Sequence, residues 1–362
     1  MIFQLFITQE CNLNCTYCFE GEKKTQKMTL DMLPSITCFM KNYVKQDFII
    51  DKEIWVNFNG GEALLEKQFI KNAVSFFEKN GINHFSISTN FTLIDNDMMI
   101  FLIDKKFTMQ ISIDGEKDTH DLNRKDYAGY GSFETVWRNL KKLESLKSDS
   151  QILYSMVITP KTVSNLYRNV KFLFKNNKTD VIASFNSKDV WSRKSLKILY
   201  KQAILCRKLY VKMFKKGIPV YFKPLSQNII DFFHGFEKST CGICKDLIGI
   251  TPNGTVLACG AFLGNKFEKE FVIGTIYDRN LNNDLINQLI SIKINTKECM
   301  NCVYKGRCHN DCLVCNFDCS GELEKPVFMT CYINQIFLKQ SDIAIVQLLK
   351  NKVFTDYYKF EG

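Results

Sequence analysis

Three cysteines, Cys11, Cys15 and Cys18, stand in Cys11-Asn12-Leu13-Asn14-Cys15-Thr16-Tyr17-Cys18-Phe19 with gaps of three and two residues. They follow the apolar run Ile2-Phe3-Gln4-Leu5-Phe6-Ile7, which is short and β-rich, so they fall on the loop leaving a strand. A tight loop with three thiols can hold three corners of an iron–sulfur cube, because such clusters are ligated by Cys thiolates. The fourth iron is then open to a small chelating molecule. A zinc knuckle is the alternative use of the same thiols. Further on, Cys241 and Cys244 precede Pro252-Asn253-Gly254-Thr255, a hairpin-turn signal, and Gly254 stands five positions before Cys259. Cys299, Cys302, Cys308 and Cys312 follow with gaps of two, five and three residues, and then Cys331. A hairpin that brings cysteines beside a later knot of cysteines is a cage for two more clusters, although Cys pairs two residues apart are also zinc-like. Cys315 and Cys319 fall in the same stretch and leave the register at Cys312 and Cys331 open. Cys38 and Cys206 lie on predicted helices and read as buried apolar side chains.

Other chemistry-bearing groups fall at predicted strand ends. Asn59-Gly60-Gly61-Glu62 pairs two glycines, which let backbone approach a ligand closely, with a carboxylate that accepts from a cation. Ser88-Thr89-Asn90 and Ser112-Ile113-Asp114-Gly115 put small polar side chains at the same mouth, suited to hydroxyls and a carboxylate, or serving as simple turn formers. Arg124 reads equally as a ligand contact or a surface ion pair. His120 has only a weak case as a proton carrier, since a lone His is usually structural. No residue stands out as a substrate base.

The elements that must position these residues are legible as alternating β runs and amphipathic helices. Strands are predicted at 2–8, 54–57, 84–88, 108–113, 152–158 and 181–185, and helices at 30–45, 66–79, 96–105, 133–145 and 165–176. That alternation implies an α/β fold with a parallel sheet, and six right-handed units would make a partial (β/α)6 TIM-like barrel with its chemistry at the C-terminal strand ends. The predicted organisation is a barrel over residues 1–190, a basic helical connector over 191–238, a small Cys-rich domain of β-hairpin, loops and helices over 239–335, and a C-terminal helix and tail over 336–362, the closing helix covering 333–349.

The chain has 362 residues, long enough for a large domain with an ample core and a smaller one. Fifteen cysteines, with no stretch approaching a membrane span and only ten residues before Cys11, argue for a cytoplasmic protein that uses its thiols for metal instead of disulfides. The formal charge is +10, but the lysines are spread along the chain, and cluster-ligating thiolates would offset about half of it. Neither nucleic acid nor a membrane is therefore an expected partner. A mildly basic face that attracts an acidic peptide is the functional alternative to a merely solvated surface.

The cysteine loop with its aromatic before the third Cys closely resembles the radical S-adenosylmethionine (SAM) enzymes. The resemblance extends to Gly60-Gly61-Glu62, to Ile111-Ser112-Ile113-Asp114-Gly115 with Thr119-His120-Asp121-Leu122-Asn123-Arg124, and to Gly131-Ser132-Phe133. The later cysteines resemble the SPASM extension of radical SAM enzymes that modify peptides. The resemblance implies a SAM-binding [4Fe–4S] cluster on Cys11, Cys15 and Cys18. It implies SAM contacts from Tyr17 (through its backbone, to adenine), Gly60, Gly61, Glu62, Asn90, Ser112 and Arg124. Two auxiliary [4Fe–4S] clusters would take Cys241, Cys244, Cys259 and Cys312, and Cys299, Cys302, Cys308 and Cys331. The expected activity is a maturase that cleaves SAM to a 5′-deoxyadenosyl radical and oxidatively modifies a ribosomally synthesised peptide, by a thioether or C–C cross-link or a dehydrogenation. Its partners would be the precursor peptide and a reductant such as flavodoxin or ferredoxin; since ten residues cannot form a leader-binding domain, either a separate protein binds the leader or the core is read directly. Anaerobic sulfatase maturation, which makes formylglycine, is the alternative. Members of that family usually carry an Asp directly after the Cys that follows the Gly, whereas Cys259 is followed by Gly260 and Ala261. A non-catalytic iron–sulfur or zinc protein is the outside alternative, and it would have no need of SAM-binding motifs.

Overall fold

The computed structural model describes residues 1–21, 23–146, 149–235, 241–294, 296–308 and 312–359. In chain order the first elements are β1 (Ile2–Thr8), α1 (Leu33–Tyr43), β2 (Trp55–Gly60), α2 (Lys67–Lys79), β3 (His84–Thr89), α3 (Asn96–Asp104), β4 (Thr108–Ser112) and α4 (Lys117–Asn123). Next come α5 (Phe133–Ser145), β5 (Ile152–Ile158), α6 (Leu166–Lys175), β6 (Asp180–Phe185), α7 (Arg193–Lys215), β7 (Tyr221–Phe222) and α8 (Lys223–His234). The remainder is β8 (Leu247–Ile250), β9 (Thr255–Leu257), β10 (Val272–Thr275), α9 (Asn283–Ser291), α10 (Lys297–Met300), α11 (Leu313–Ser320), α12 (Phe328–Leu348) and α13 (Lys352–Tyr357). All six predicted strands and all five predicted barrel helices are present, with ends shifted by at most a few residues. The predicted boundary at 238/239 lies outside the described residues.

The chain divides into two compact units. The first comprises Met1–Ser112, Asp121–Leu153 and Gly242–Ser291. Its strands are ordered β10-β9-β8-β1-β2-β3-β4, with β8, β1, β2, β3 and β4 parallel to their neighbours and β8, β9 and β10 joined antiparallel. Alternation sets this sheet. Phe3 of β1, Val56 and Phe58 of β2, and Phe85 and Ile87 of β3 are buried between more exposed neighbours, whereas β1 is buried continuously from Leu5 to Thr8. Helix α2 buries Phe69, Ile70, Ala73, Val74 and Phe77, one stripe at helical spacing. Asp95 begins α3 by accepting from the Met98 N–H at 2.8 Å. The Phe107 ring stacks on both Phe58 and Phe85, and the three ring centroids lie 5.6 to 6.4 Å apart. The hairpin forms where Asn253-Gly254 predicts it, with Gly254 at φ +85° and the Thr251 N–H donating to the Thr255 carbonyl at 2.9 Å. Because β1 to β4 are parallel, the cysteine loop, Gly60-Gly61-Glu62, Thr89-Asn90 and Ser112 all leave the same edge of this sheet.

The second unit comprises Ile113–His120, Tyr154–Cys241 and Ile292–Gly362. Within it β5, β6 and β7 are parallel in that order. The segment predicted as a connector supplies α7, β7 and α8, and α7 and α8 pack against α12. Arg207 of α7 donates to Gln340 (2.9 Å) and Gln347 (2.6 Å) of α12, and Ser341 donates to the Leu225 carbonyl at 3.1 Å. Tyr210 and Tyr358 share a short hydroxyl contact beside Ser226. Helix α12 begins earlier than predicted and carries Cys331 in its first turn. Among the described residues no helix is long and apolar enough to cross a membrane.

Candidate active site

The cysteine loop is templated by the end of α4 and the chain that follows it. Leu13 bridges Asp126, the Asn14 N–H donates to the Lys125 carbonyl at 2.7 Å, and the Thr16 N–H donates to the Asn123 carbonyl at 3.0 Å. Thr16 Oγ1 also donates to Asn123 Oδ1 at 2.8 Å. A turn closes when the Cys18 N–H reaches the Cys15 carbonyl at 3.1 Å, and the Leu13 N–H lies 3.4 Å from Cys11 Sγ. Burial pushes the Cys11 thiol up to about 12, the Leu13 N–H opposing and the Glu62 charge adding to the rise.

Asn90 joins this loop to the glycine motif. Its side-chain amide donates to Asn12 Oδ1 at 2.9 Å and lies 3.9 Å from Cys11 Sγ, while its backbone N–H donates to Glu62 Oε2 at 2.7 Å. Glu62 is 1% exposed, and its carboxylate also accepts from Thr89 Oγ1 (2.6 Å) and the Leu64 N–H (3.0 Å). Both oxygens are therefore taken up inside the loop, and burial still holds the carboxyl above its ordinary range. Glu62 thus fixes the shape of Gly60-Gly61. A Cβ on Gly61 would sit 2.2 Å from the Glu10 carbonyl oxygen, so only glycine allows the two loops this approach. Asn12 Nδ2 donates to Thr92 Oγ1 at 2.8 Å, and Thr92 donates in turn to Asn90 Oδ1 at 2.6 Å, closing the network.

Tyr17 and Arg124 meet in the same unit, the guanidinium 5.3 Å from the ring centroid, and Arg124 is 7% exposed, so it is not a surface ion pair. Ser112 is half-buried at the end of β4. His120 is wholly buried, with Nδ1 3.3 Å from the Asp114 N–H, and Asp114 accepts from the Val157 N–H at 3.0 Å; both serve the backbone of the second unit.

The later cysteines divide between the units. Cys244 and Cys259 lie in the first, where the Cys244 N–H donates to the carbonyl of Ala258, the residue before Cys259, at 3.2 Å. Cys244 is held at φ +61°, uncommon for a non-glycine residue, and its carbonyl accepts from the Tyr43 hydroxyl at 2.9 Å. Cys241 and Cys312 lie in the second unit with Cys299, Cys302, Cys308 and Cys331. There the Cys302 N–H donates to the Cys299 carbonyl at 3.2 Å, and Asn334, one turn past Cys331 on α12, reaches Cys308 Sγ at 3.9 Å. Gly260 is closely enclosed: a Cβ there would meet Gln4 Oε1 at 2.4 Å and the Phe6 ring at 2.7 Å.

A cavity of about 290 Å³ opens beside Cys11, lined by Glu10, Asn12, Lys23, Lys24, Thr25, Leu65 and Tyr127. Asn12, Thr92, Asn123 and Lys23 join the site without any motif of their own in the sequence. The near repetition of Asn12 and Asn14 around the first cysteines was the only local signal for the first of these. Among the described residues no three Cys, His, Asp or Glu side chains converge on a single-ion site. A four-iron cube sets its thiolates around a larger body. N–H groups aimed at sulfur, from Leu13 and Asn90 toward Cys11 and from Lys23 toward Cys18, suit anionic thiolate ligands. The donor set therefore fits an iron–sulfur cluster.

Residues 5–173 match the Radical SAM superfamily, so the chain carries a radical SAM domain. Over 84% of its length it is 25% identical to the cysteine-type anaerobic sulfatase-maturating enzyme of Clostridium perfringens (strain 13 / Type A), covering 86% of that protein. Over 96% of its length it is 25% identical to the radical SAM cyclopropyl synthase TigE of Paramaledivibacter caminithermalis, covering 72% of that protein. The native anSMEcpe structure with bound AdoMet superposes with a TM-score of 0.82 at 20% identity, covering 97% of this chain and 100% of that one. The fold is thus the α/β, TIM-like radical SAM fold with a Cys-rich C-terminal region.

Proposed function

We propose that this protein is a radical SAM/SPASM maturase that oxidatively modifies a ribosomally synthesised peptide, forming a thioether or C–C cross-link or a dehydrogenated residue. The observation that carries the reading is Asn90, whose amide and backbone join Cys11 and Asn12 to the buried Glu62. In this reading Cys11, Cys15 and Cys18 hold the SAM cluster. Cys241, Cys244, Cys259 and Cys312 would hold one auxiliary [4Fe–4S] cluster, and Cys299, Cys302, Cys308 and Cys331 the other. When bound, the clusters and SAM supply a 5′-deoxyadenosyl radical and sites for an electron taken from the substrate. The chain supplies placement. Gly60 and Gly61 offer backbone to SAM in a loop whose shape Glu62 fixes, Asn90 orients the cysteine loop, and Tyr17, Ser112 and Arg124 line the cofactor's place. Residues 1–190 serve as the barrel, and 239–335 as the cluster-bearing extension. The precursor peptide is the expected partner, and flavodoxin or ferredoxin the reductant.

Formylglycine formation is the second reading, favoured by the sulfatase-maturating relatives. Against it stands Gly260, where the space an Asp side chain needs is filled by Gln4 and Phe6. The reactions separate by mass. Anaerobic incubation with SAM, reductant and a Cys-rich precursor encoded beside this gene is expected to remove ~2 Da per modification, the mass of two hydrogens. A loss of ~18 Da from the Cys of a sulfatase-type peptide, with the precursor untouched, replaces this reading with the second.

A further inference from the structure

Lys23 is placed where neither the proposed SAM contacts nor the cluster ligands require a residue. Its ammonium lies 3.2 Å from Cys18 Sγ and 3.0 Å from Glu20 Oε2. Glu20 is 4% exposed, and the Lys23 side chain is 18% exposed, so the pair is sheltered. The segment is anchored from outside itself. A Cβ on Gly264 would lie 2.0 Å from the Glu20 carbonyl oxygen, so the turn after Cys259 seats directly on the backbone between Cys18 and Lys23. Gly264 is in turn held by its N–H, which donates to Glu268 at 2.7 Å. Lys23 also lines the cavity beside Cys11. Its neighbour Lys24 lines the same cavity but is exposed and makes no contact with Cys18 among the described hydrogen bonds and ion pairs.

We infer that Lys23 sets the reduction potential of the cluster held by Cys11, Cys15 and Cys18, as a positioning residue that acts through the Cys18 sulfur; this rests on the cluster reading above. A reduced cluster carries one more negative charge than an oxidised one. A fixed cation donating N–H to a ligating sulfur therefore favours the reduced form, and hydrogen bonds to the sulfurs are among the factors that set such potentials. Glu20 keeps the ammonium on the sulfur instead of in the cavity, at the cost of a partial offset by its own charge. The arrangement makes the SAM cluster easier for a protein reductant to reduce.

The test is a potentiometric titration of the reconstituted full-length protein, following the electron paramagnetic resonance signal that changes when SAM is added. Wild type is compared with Lys23→Met, Lys23→Arg and Lys24→Met, each at matched iron content. Lys23→Met is expected to move the midpoint of that signal to more negative potential and leave the auxiliary signals in place, while Lys23→Arg and Lys24→Met keep the wild-type midpoint. An unchanged midpoint in Lys23→Met, or an equal shift in Lys24→Met, overturns the inference alone. Absence of any SAM-responsive signal in the wild type overturns the cluster reading and this inference with it.

Discussion

At the residue scale, Glu62 is the most constrained group in the site. Three donors converge on a carboxylate that is 1% exposed. Glu62→Ala leaves those donors buried without a partner, and the expected loss is about 2–4 kcal/mol of unfolding free energy, measured by denaturant titration of the metal-free protein. Burial raises the Glu62 carboxyl above its ordinary 4.5. The native state therefore binds this proton more tightly than the unfolded chain, and the stability it contributes is present below pH 4.5 and lost as pH rises through the folded value. Relative to Glu62→Gln, the wild type should lose stability across that rise; a pH-independent difference between the two would show that burial does not govern this group. Gly260 makes the complementary prediction. Gly260→Asp is expected to cost about 1–3 kcal/mol by crowding the buried Phe6, and to confer no formylglycine formation. The cysteines were legible in the sequence because thiols at short, fixed spacings have few other uses. Asn12, Thr92 and Asn123 were not, because polar loop residues carry no periodicity and their partners lie some 80 to 107 residues away.

At the scale of elements, the cysteine loop owes its shape to the end of α4 and the segment after it, which lend it backbone partners at Asn123, Lys125 and Asp126. Asn123→Ala removes the side-chain acceptor of Thr16 and keeps the backbone pairing. The expected cost is about 1 kcal/mol, with faster amide exchange across residues 13–18 and weaker iron retention at that loop. Unaltered exchange there would mean the backbone bonds alone hold the loop. Strands and helices with strong periodicity emerged as read, since alternation and the 3.6-residue stripe are local. The parallel pairing of β1 with β8, which brings the cysteine hairpin into the first unit, could not be read. Strand pairing across more than two hundred residues leaves no mark in either segment's own pattern.

For the whole molecule, the division into two units cuts across the sequence order: 242–291 belongs with the first strands, while 292–362 belongs with α7 and α8. The Cys-rich end is continuous in sequence but shared between the units in space. Nothing in the composition marks that break, because a contact-defined unit depends on which faces meet and not on where cysteines become frequent.

The proposed function requires that the Cys11, Cys15 and Cys18 loop carry a SAM-cleaving cluster in a protein with two further clusters. Anaerobic reconstitution, followed by iron and sulfide counting and assay of 5′-deoxyadenosine with dithionite and SAM, tests it most directly. Wild type is expected to hold about twelve irons and cleave SAM, and a Cys11/Cys15/Cys18→Ala variant to hold about eight and release no 5′-deoxyadenosine. Zinc in place of iron, or a wild type that leaves SAM intact, would rule out the radical chemistry and leave a metal-stapled binding protein.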